Sequence, residues 1–320
     1  MSLKILYLAN YAPSEADNAL VADEGVYPAY HRSMFELLVD FGFDVVPRRT
    51  PESLLDRERF DYVFSLLNRA PYRGSEVFVT ALCEYLRLPY LGAGPHVRAV
   101  ADDKHVAKHV ARSLGIRTAD WVVIRALDDM CRAAPFPGPY FAKPRSGASS
   151  RLLGDDCLQD TWTALSEPVA RLQRESGEDV LIEAFVPGMN ISLPMLGGDP
   201  PQCLPAYQAL SPHRGGLITY AQKRRLDRTL RRRPVESDAL LKAVNTIGVT
   251  LYYALRPIDY LRVDVRVTPD GEPVFLEFNV CCNIGPQSGF AASALQEGWS
   301  HRELVSRILR FSFGRQQVAW

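Results

Sequence analysis

The stretch RVDVRVTPDGEPVFLEFN, residues 262–279, predicts two β-strands around a tight turn. Asp270-Gly271 is a two-residue turn signal because both positions tolerate a positive φ. Before the turn, valines alternate with charged residues, so the two faces of the first strand differ in polarity. With a two-residue loop, Asp264 lies directly opposite Glu277.

The same register places Arg262 opposite Asn279, so that several polar side chains share one face of the hairpin. Directly opposed carboxylates repel each other and destabilise a sheet. One interpretation is an exposed face on which Arg262 and Arg266 screen the acids. The other is a shared divalent cation, because Mg²⁺ prefers oxygen ligands from carboxylates and phosphates. The hairpin by itself leaves both interpretations open.

The composition is that of an ordinary globular protein of 320 residues. Lysine plus arginine equals aspartate plus glutamate, at 37 each, which argues against a nucleic-acid or anionic-membrane partner. The N-terminus is too polar after Leu8 for a signal peptide, and no apolar run reaches membrane-spanning length. The cysteines show no CxxC spacing and no zinc pattern with the histidines. We therefore expect a reduced, cytoplasmic protein.

The order of predicted elements favours an α/β protein. Strands are predicted at 3–9, 44–47, 60–67, 121–124, 139–144 and 179–186. Helices are predicted at 28–41, 75–88, 99–114, 158–175, 235–249 and 301–312. The very basic segment 214–234 is predicted to be a loop, and a glycine-rich loop is predicted at 283–293. The first five elements predict a small layer with a parallel sheet, which ends near the LPYLGAGP sequence at 88–95.

Four motifs occur in a fixed order along the chain: AKPRSGASS (142–150), VLIEAFV (180–186), the basic loop, and the RVDV…LEFN hairpin. This order resembles the ATP-grasp ligases, and most closely the D-alanine–D-alanine ligases. The resemblance implies an ATP-grasp fold of three α/β parts, with ATP between the central and C-terminal ones. The expected bounds are 1–97, 98–187 and 188–320. The resemblance also implies a homodimer.

The resemblance implies a role for individual residues at the nucleotide site. Expected ATP contacts come from phosphate-binding lysines, a small-residue loop and an adenine-binding hinge: Lys104, Lys143, Lys223, Ser149, Ser150, Glu183, Ala184, Phe185, Val186 and Asn190. The small residues from Gly147 onward let backbone N–H groups approach phosphate oxygens. The expected ligands of Mg²⁺, with two ions in the site and Mn²⁺ as an alternative, are Asp264, Glu277 and Asn279.

Other residues match the catalytic and substrate-binding positions of the family. Arg262 matches the arginine that stabilises the oxyanion of the tetrahedral intermediate. Ser149 matches a catalytic serine, and Ser288 matches the serine that holds the carboxylate of the second amino acid. Either Asp23 or Glu24 would bind the ammonium group of the first substrate.

Three positions depart from the family pattern. Arg224 replaces a tyrosine of the mobile loop, and Asn190 replaces the acid that contacts ribose. Cys282-Asn283 replaces a proline-glycine pair, unless the glycine has moved to Gly285. ATP chemistry is therefore expected to be retained, whereas substrate recognition is expected to differ, with Arg224 binding an extra anion on a substrate.

These features predict an ATP-dependent carboxylate–amine ligase that forms an amide through an acyl phosphate. A specialised amino-acid or natural-product ligase is favoured by the departures. The alternatives are a housekeeping D-alanine–D-alanine ligase and a nucleotide-binding ATP-grasp protein without turnover. RNA binding by the basic segment is a further alternative, which sparse aromatic residues and the neutral net charge disfavour.

Overall fold

The computed structural model describes residues 2–14, 25–56, 58–67, 75–131, 133–147, 150, 152–224 and 228–320. These residues form three β-sheets with helices packed against them. The helices are α1 (Tyr27–Asp40), α2 (Ser75–Leu86), α3 (Pro95–Asp102), α4 (Lys104–Ser113), α5 (Ser166–Ser176), α6 (Tyr220–Lys223), α7 (Asp238–Leu255), α8 (Gly289–Gln296) and α9 (His301–Arg315). Among the described residues, no helix has the length and apolar character needed to cross a membrane.

The first sheet is parallel, as the sequence predicts. Its strands are β1 (Lys4–Leu8), β2 (Asp44–Arg48) and β3 (Tyr62–Ser65), in the order β2-β1-β3. β1 lies in the middle and is almost wholly buried, in keeping with its apolar sequence KILYL.

The second sheet is antiparallel and forms one side of the central region. Its strands are β4 (Trp121–Ile124), β5 (Tyr140–Pro144), β6 (Leu158–Gln159) and β7 (Val180–Ala184), in the order β4-β7-β5-β6. The predicted helix at 158–175 is wrong at its start. Residues 158–159 form β6, and α5 begins only at Ser166, ahead of Val169 and Leu172, which it buries.

The third sheet carries the hairpin. Its strands are β8 (Met189–Leu196), β9 (Gln202–Cys203), β10 (Tyr207–Leu210), β11 (Arg231–Pro234), β12 (Tyr260–Val267) and β13 (Pro273–Asn279). The order is β11-β10-β8-β12-β13, with β9 also paired to β8. The segment 214–234 is therefore not only a loop, because it also contains α6 and the edge strand β11.

The hairpin register agrees with the prediction at one end and departs from it at the other. Arg262 pairs with Asn279 and Asp264 pairs with Glu277, as expected. Nearer the turn the pairs shift by one residue, because the strands are joined by the five residues 268–272 rather than by two. A bulge beside Asp264 adds one residue, Leu276, and so restores the predicted pairing.

The predicted helix at 99–114 is two helices that meet at Asp103. The Asp103 side chain accepts hydrogen bonds from the backbone N–H groups of His105 and Val106, which makes it the N-cap of α4. Val97 of α3 and Ala107 of α4 belong to the hydrophobic cluster of the third sheet. The new helix start places Lys104 at the edge of the space between the second and third sheets.

The C-terminal helices pack on the first sheet. Phe290 of α8 and Phe313 of α9 share a hydrophobic cluster with Tyr7 and Tyr62 of the first sheet. The Phe313 and Tyr62 rings meet edge to face with centroids 4.6 Å apart. This packing holds the glycine-rich loop before α8 against α1, where Tyr30 Oη accepts a hydrogen bond from the Ile284 N–H.

Candidate active site

One cavity of about 680 Å³ lies between the second and third sheets, which is enough space for a nucleotide and a small substrate. Lys104 and Lys143 line it from the second-sheet side, and the hairpin lines it from the third. We call the first side the lysine wall (Lys104, Lys143 and Glu183, with Lys108 behind Glu183). We call the second side the hairpin wall (Arg262, Asp264, Glu277 and Asn279).

Asp264 is the most heavily contacted acid of the hairpin wall. Arg262 binds it through Nε at 2.9 Å and through Nη2 at 2.7 Å. Ser192 Oγ donates to its Oδ1 at 2.6 Å, and Asn279 Nδ2 donates to its Oδ2 at 3.2 Å. Arg262 therefore does screen one acid, as the first interpretation of the hairpin proposed. The polar face is nevertheless not a solvated surface, because it lines the cavity.

Glu277 carries the second negative charge of the hairpin wall. Burial alone raises the pKa of this carboxyl, but the positive charges of Lys223, Lys104 and Lys143 outweigh it and lower the pKa below its ordinary value. Glu277 is therefore ionised at neutral pH, and it faces the cavity from the strand beside Asp264.

The hairpin donors fit a divalent cation. Two carboxylates and one carboxamide offer oxygen ligands from adjacent strands, and all three residues line the cavity. The lowered pKa of Glu277 means that no proton competes for that carboxylate at neutral pH. Among the described residues, no group of three or more His, Cys, Asp or Glu side chains that could hold a metal ion is present, so the hairpin set depends on the Asn279 carboxamide as its third donor.

The lysine wall contains two lysines held by nearby acceptors. Lys104 Nζ donates to the carbonyl oxygen of Gly147 at 2.5 Å, which ties α4 to the small-residue loop. Lys143 Nζ donates to Glu183 Oε1 at 2.6 Å. Both lysines are more than nine-tenths buried yet line the cavity. Two cations at one end of a cavity favour an anionic ligand there.

Glu183 differs from its expected role in the adenine-binding hinge. Its carboxylate binds Lys143 through one oxygen and Lys108 Nζ, at 2.8 Å, through the other. Burial alone would raise the pKa of Glu183, but the two lysines lower it to about 2. The side chain is therefore occupied within the protein and is not available to a base.

The backbone of the hinge is also partly occupied. The N–H of Ala184 donates to Asp120 O, and that of Phe185 donates to Pro139 O. In the part of the chain that the structure describes, no acceptor is bonded to the N–H of Val186, the next hinge residue, which lines the cavity. Of the expected hinge contacts, a hydrogen bond from Val186 thus fits the geometry best.

Asn190 has both ends of its carboxamide engaged. Nδ2 donates to Gly216 O at 2.7 Å, and Oδ1 accepts from Arg266 Nη1 at 3.0 Å. Arg266 also donates to the carbonyls of Gly188 and Gly215, and its guanidinium lies 4.8 Å from the centre of the Phe185 ring. Asn190 and Arg266 thus stabilise the turn after the hinge through these hydrogen bonds.

The short helix α6 brings Lys223 to the cavity opposite Glu277. The next residue, Arg224, is buried and packs its guanidinium over Tyr27 and Tyr220, with centroid distances of 4.3 and 4.9 Å. Its carbonyl accepts a hydrogen bond from the Val26 N–H. Arg224 therefore attaches the start of α1 to the end of α6. Tyr27, which packs on the Arg224 guanidinium, lines the cavity, whereas Arg224 itself does not.

Ser288 and Ser150 also line the cavity. Ser288 Oγ is the N-cap of α8 and accepts from the Ala291 N–H at 3.0 Å. The expected site residues Ser149, Asp23 and Glu24 lie outside the described residues.

Three contributors to the site were missed in the sequence: Lys108, Ser192 and Arg266. Lys108 follows Lys104 by four residues, so both lie on one face of a helix, and that spacing was a usable signal. Arg266 lies on the same face of β12 as Asp264 and Arg262, and the sequence indicates only a screening charge there. Ser192 carried no signal, because its strand β8 was itself not predicted.

A family model described as "D-ala D-ala ligase C-terminus" matches residues 110–310. A D-alanine–D-alanine ligase of Synechococcus sp. (strain JA-2-3B'a(2-13)) is 31% identical over 77% of this chain and 74% of its own length. The chain belongs to the D-alanine–D-alanine ligase family. It is accordingly an ATP-dependent ligase that forms carbon–nitrogen bonds.

Two further members of the family match nearly the whole chain. The D-alanine–D-alanine ligase of Oleidesulfovibrio alaskensis is 29% identical over 98% of this chain and 99% of its own. A crystal structure of the Bacillus anthracis D-alanine–D-alanine ligase complexed with ATP superposes with a TM-score of 0.75 and 20% identity, covering 99% of both chains. This likeness confirms the predicted ATP-grasp fold.

Proposed function

We propose that the cavity joins the carboxylate of one amino-acid-like substrate to the amine of another at the expense of ATP. The observation that carries the proposal is the division of charge across one cavity, with Lys104, Lys143 and Lys223 facing Asp264 and Glu277. A nucleoside triphosphate needs cations for its phosphates and carboxylates for its metal ions, and both are present within one site.

The nucleoside would lie at the hinge. Val186 can donate its N–H to the base, and Phe185 and Arg266 form one side of the same end of the cavity. Asn190 would reach ribose only if it gave up its bond to Gly216, so we assign it a structural role. The lysine wall then receives the phosphates, with Lys223 closing over the terminal one.

Asp264, Glu277 and Asn279 would hold magnesium ions, two in number as in the resemblance, with Mn²⁺ as a substitute. When bound, the ions would offset the negative charge of the phosphates. The chain's own contribution is to keep the ligands fixed. Arg262, Ser192 and Asn279 together hold Asp264 in one orientation before any ligand arrives.

The proposed reaction has two steps. The substrate carboxylate attacks the γ-phosphorus of ATP, which gives an acyl phosphate and ADP. The amine then attacks the acyl carbon, and the amide forms as phosphate and a proton leave. Arg262 is fixed by Asp264 through Nε and Nη2, and no described residue is bonded to its Nη1. That group is our candidate for stabilising the tetrahedral oxyanion.

Two molecules of D-alanine are the first substrates to test, because the relatives reported above are named for that reaction. The experiment measures ADP release with Mg²⁺-ATP across D- and L-amino acids, singly and in pairs, with product masses. ADP that depends on an amino acid, with a product mass equal to the pair minus water, supports the proposal. Nucleotide binding without ADP on any pair favours a protein that has lost turnover.

A control variant, Asp264→Asn, shows whether turnover needs the hairpin wall. It keeps the shape of the side chain and removes the charge that pairs with Arg262. The proposal expects ADP release to fall to background while the fold is retained. Wild-type turnover in this variant would contradict the assignment of the metal site.

A specialised acceptor is the second candidate, and the observation that favours it is Arg224. Its cation lies behind Tyr27, which lines the cavity, at a position where the resemblance implies a tyrosine. Comparing wild type with Arg224→Tyr on D-alanine and on acidic amino acids tests this candidate. An unchanged preference between the two kinds of acceptor would rule this candidate out.

We also infer a homodimer and the three-part division at residues 97/98 and 187/188 from the same resemblance. Sedimentation equilibrium tests the first. Limited proteolysis with mass mapping tests the second. Cleavage near 187/188 is the informative result, because 97/98 lies within α3, whose packing on the third sheet should keep cleavage there slow.

A further inference from the structure

Lys108 is a fully buried lysine in the middle of α4. A buried ammonium group loses its hydration and must be compensated by partners. Its hydrogen-bonding and ionic partners are Glu183 Oε2, at 2.8 Å, and Thr118 Oγ1, to which Nζ donates at 2.9 Å. Burial lowers the pKa of Lys108, and the charge of Glu183 opposes that shift. The side chain does not line the cavity, so it has no direct ligand.

Glu183 connects Lys108 to the cavity. One of its oxygens contacts Lys108 and the other accepts from Lys143, so each lysine has its own side of the carboxylate. Lys143 and Glu183 both line the cavity, and Lys143 is the cation of this triad that faces the proposed phosphate end together with Lys104. A change at Lys108 therefore reaches the cavity through a single intermediate side chain.

The charges of the triad explain why a second lysine is useful. A Lys143–Glu183 pair alone is neutral, and Glu183 would compete with a phosphate for the ammonium group. With Lys108 on its other oxygen, the triad carries one net positive charge and Glu183 is stabilised without Lys143. Lys143 is then both held in place and still cationic towards a ligand.

The same lysine links the two walls. Thr118, which accepts from Lys108, donates to the carbonyl of Phe275 at 2.9 Å. Phe275 lies on β13, two residues before Glu277, and its own N–H donates to Arg117 O. Lys108 thus contacts the segment that attaches the second sheet to the hairpin.

We propose that Lys108 is a positioning residue for the nucleotide phosphates, acting through Glu183 on Lys143. This inference rests on the proposed function, in that it takes the ligand at Lys143 to be a nucleoside phosphate. It predicts that Lys108 affects binding of the phosphate chain and not of the nucleoside.

The test measures dissociation constants for two probes, adenosine and β,γ-imido-ATP with Mg²⁺, so that turnover plays no part. Lys108→Met is expected to weaken binding of the imido nucleotide about tenfold or more, as loss of a supporting contact typically does. Adenosine binding should stay within about twofold of wild type. Equal weakening of both probes, or no change in either, would overturn the proposal.

Two further variants separate positioning from loss of stability. Lys108→Arg retains the charge and should recover most of the imido-nucleotide affinity. The double variant Lys108→Met/Glu183→Gln should bind that probe no more weakly than Glu183→Gln alone, since the proposed effect of Lys108 on Lys143 passes through Glu183. Additive losses would show that Lys108 acts by another route.

Arg315→Met is the matched control. It breaks a buried ion pair of similar kind, with Asp259 at 2.5 Å, on a helix that packs on the first sheet. It should lower stability without changing the ratio of the two dissociation constants. If wild type binds the imido nucleotide but turns over no substrate, the proposed ligase function fails while this test of Lys108 remains valid.

Discussion

Each wall contains an internal ion pair and leaves one charge facing the cavity. That charge is positive on the lysine wall and negative on the hairpin wall. On the lysine wall, one acid, Glu183, serves two lysines and leaves positive charge facing the cavity. On the hairpin wall, one cation, Arg262, serves Asp264 and leaves the charge of Glu277 facing the cavity. Each wall thus contains an internal ion pair that fixes its geometry, and a surplus charge that a ligand can use.

The difference between the walls lies in how deeply the internal pair is placed. One member of the lysine-wall pair, Lys108, lies behind the surface of the cavity, whereas Arg262 and Asp264 both line it. A residue behind the surface can only position its neighbours. A pair at the surface can also take part in chemistry.

The largest effect is expected on the hairpin wall at Glu277. Glu277→Gln removes the surplus negative charge, so kcat/KM should fall on the order of 1,000-fold and the Mg²⁺ requirement should rise. Steady-state kinetics at several Mg²⁺ concentrations measure both changes. Glu272→Gln, on the exposed turn of the same hairpin, is the control and should leave both unchanged. Equal losses in the two variants would contradict a metal-binding role.

Arg262→Lys should have the next largest effect. Lysine keeps the charge but cannot hold Asp264 through two nitrogens, so kcat should fall on the order of 100-fold. The dissociation constant of the imido nucleotide should change little, and calorimetry can measure it. Arg256→Lys replaces an exposed arginine of the same sheet region and serves as control. A loss confined to nucleotide affinity would argue against an oxyanion role.

The buried pair of the lysine wall predicts a pH-dependent stability. The pKa of Glu183 is lowered from 4.5 to about 2 in the folded state, so its ionised form stabilises the fold above pH 4.5. This contribution declines as the pH falls from 4.5 towards 2, by about 2 kcal/mol at pH 3. Urea unfolding at pH 7, 4 and 3 measures the decline. In Glu183→Gln, which lacks the titrating group, this part of the acid sensitivity should be absent.

An exposed ion pair between the second-sheet and third-sheet regions should contribute least to the free energy of unfolding. Arg214 and Asp160 are 3.0 Å apart, but their side chains are 47% and 75% exposed. Asp160→Asn should therefore change the free energy of unfolding by less than about 0.5 kcal/mol and leave kinetics unaltered. Urea denaturation measures this. A loss as large as that from Glu183→Gln would remove the contrast between buried and exposed pairs.

The hairpin shows how far sequence reasoning reaches. Alternation and the Asp270-Gly271 signal gave the correct pairing at Asp264 and Glu277, although the loop is longer than expected. The bulge at Leu276 compensates for the longer loop, and nothing in the local pattern indicates it. Such a bulge depends on packing against β12 and on the cavity that Leu276 lines.

Tertiary contacts account for the other differences. Asp103 is followed by a helix-compatible sequence, yet Arg145, the residue after β5, binds its carboxylate at 2.7 Å and helps to break the helix there. The position of Glu183 in the VLIEAFV motif predicts a contact with adenine, whereas its partners in the structure come from α4 and β5. Local pattern predicts which groups are present, but only the fold decides which of them neutralise each other.

We propose that the two walls together activate a carboxylate as an acyl phosphate. The most direct test uses D-alanine, or whichever donor the amino-acid panel identifies, labelled with ¹⁸O in its carboxylate. An acyl phosphate requires one labelled oxygen to appear in the inorganic phosphate for each amide formed, and mass spectrometry of the phosphate measures it. Unlabelled phosphate, or label found in AMP instead, would contradict the account.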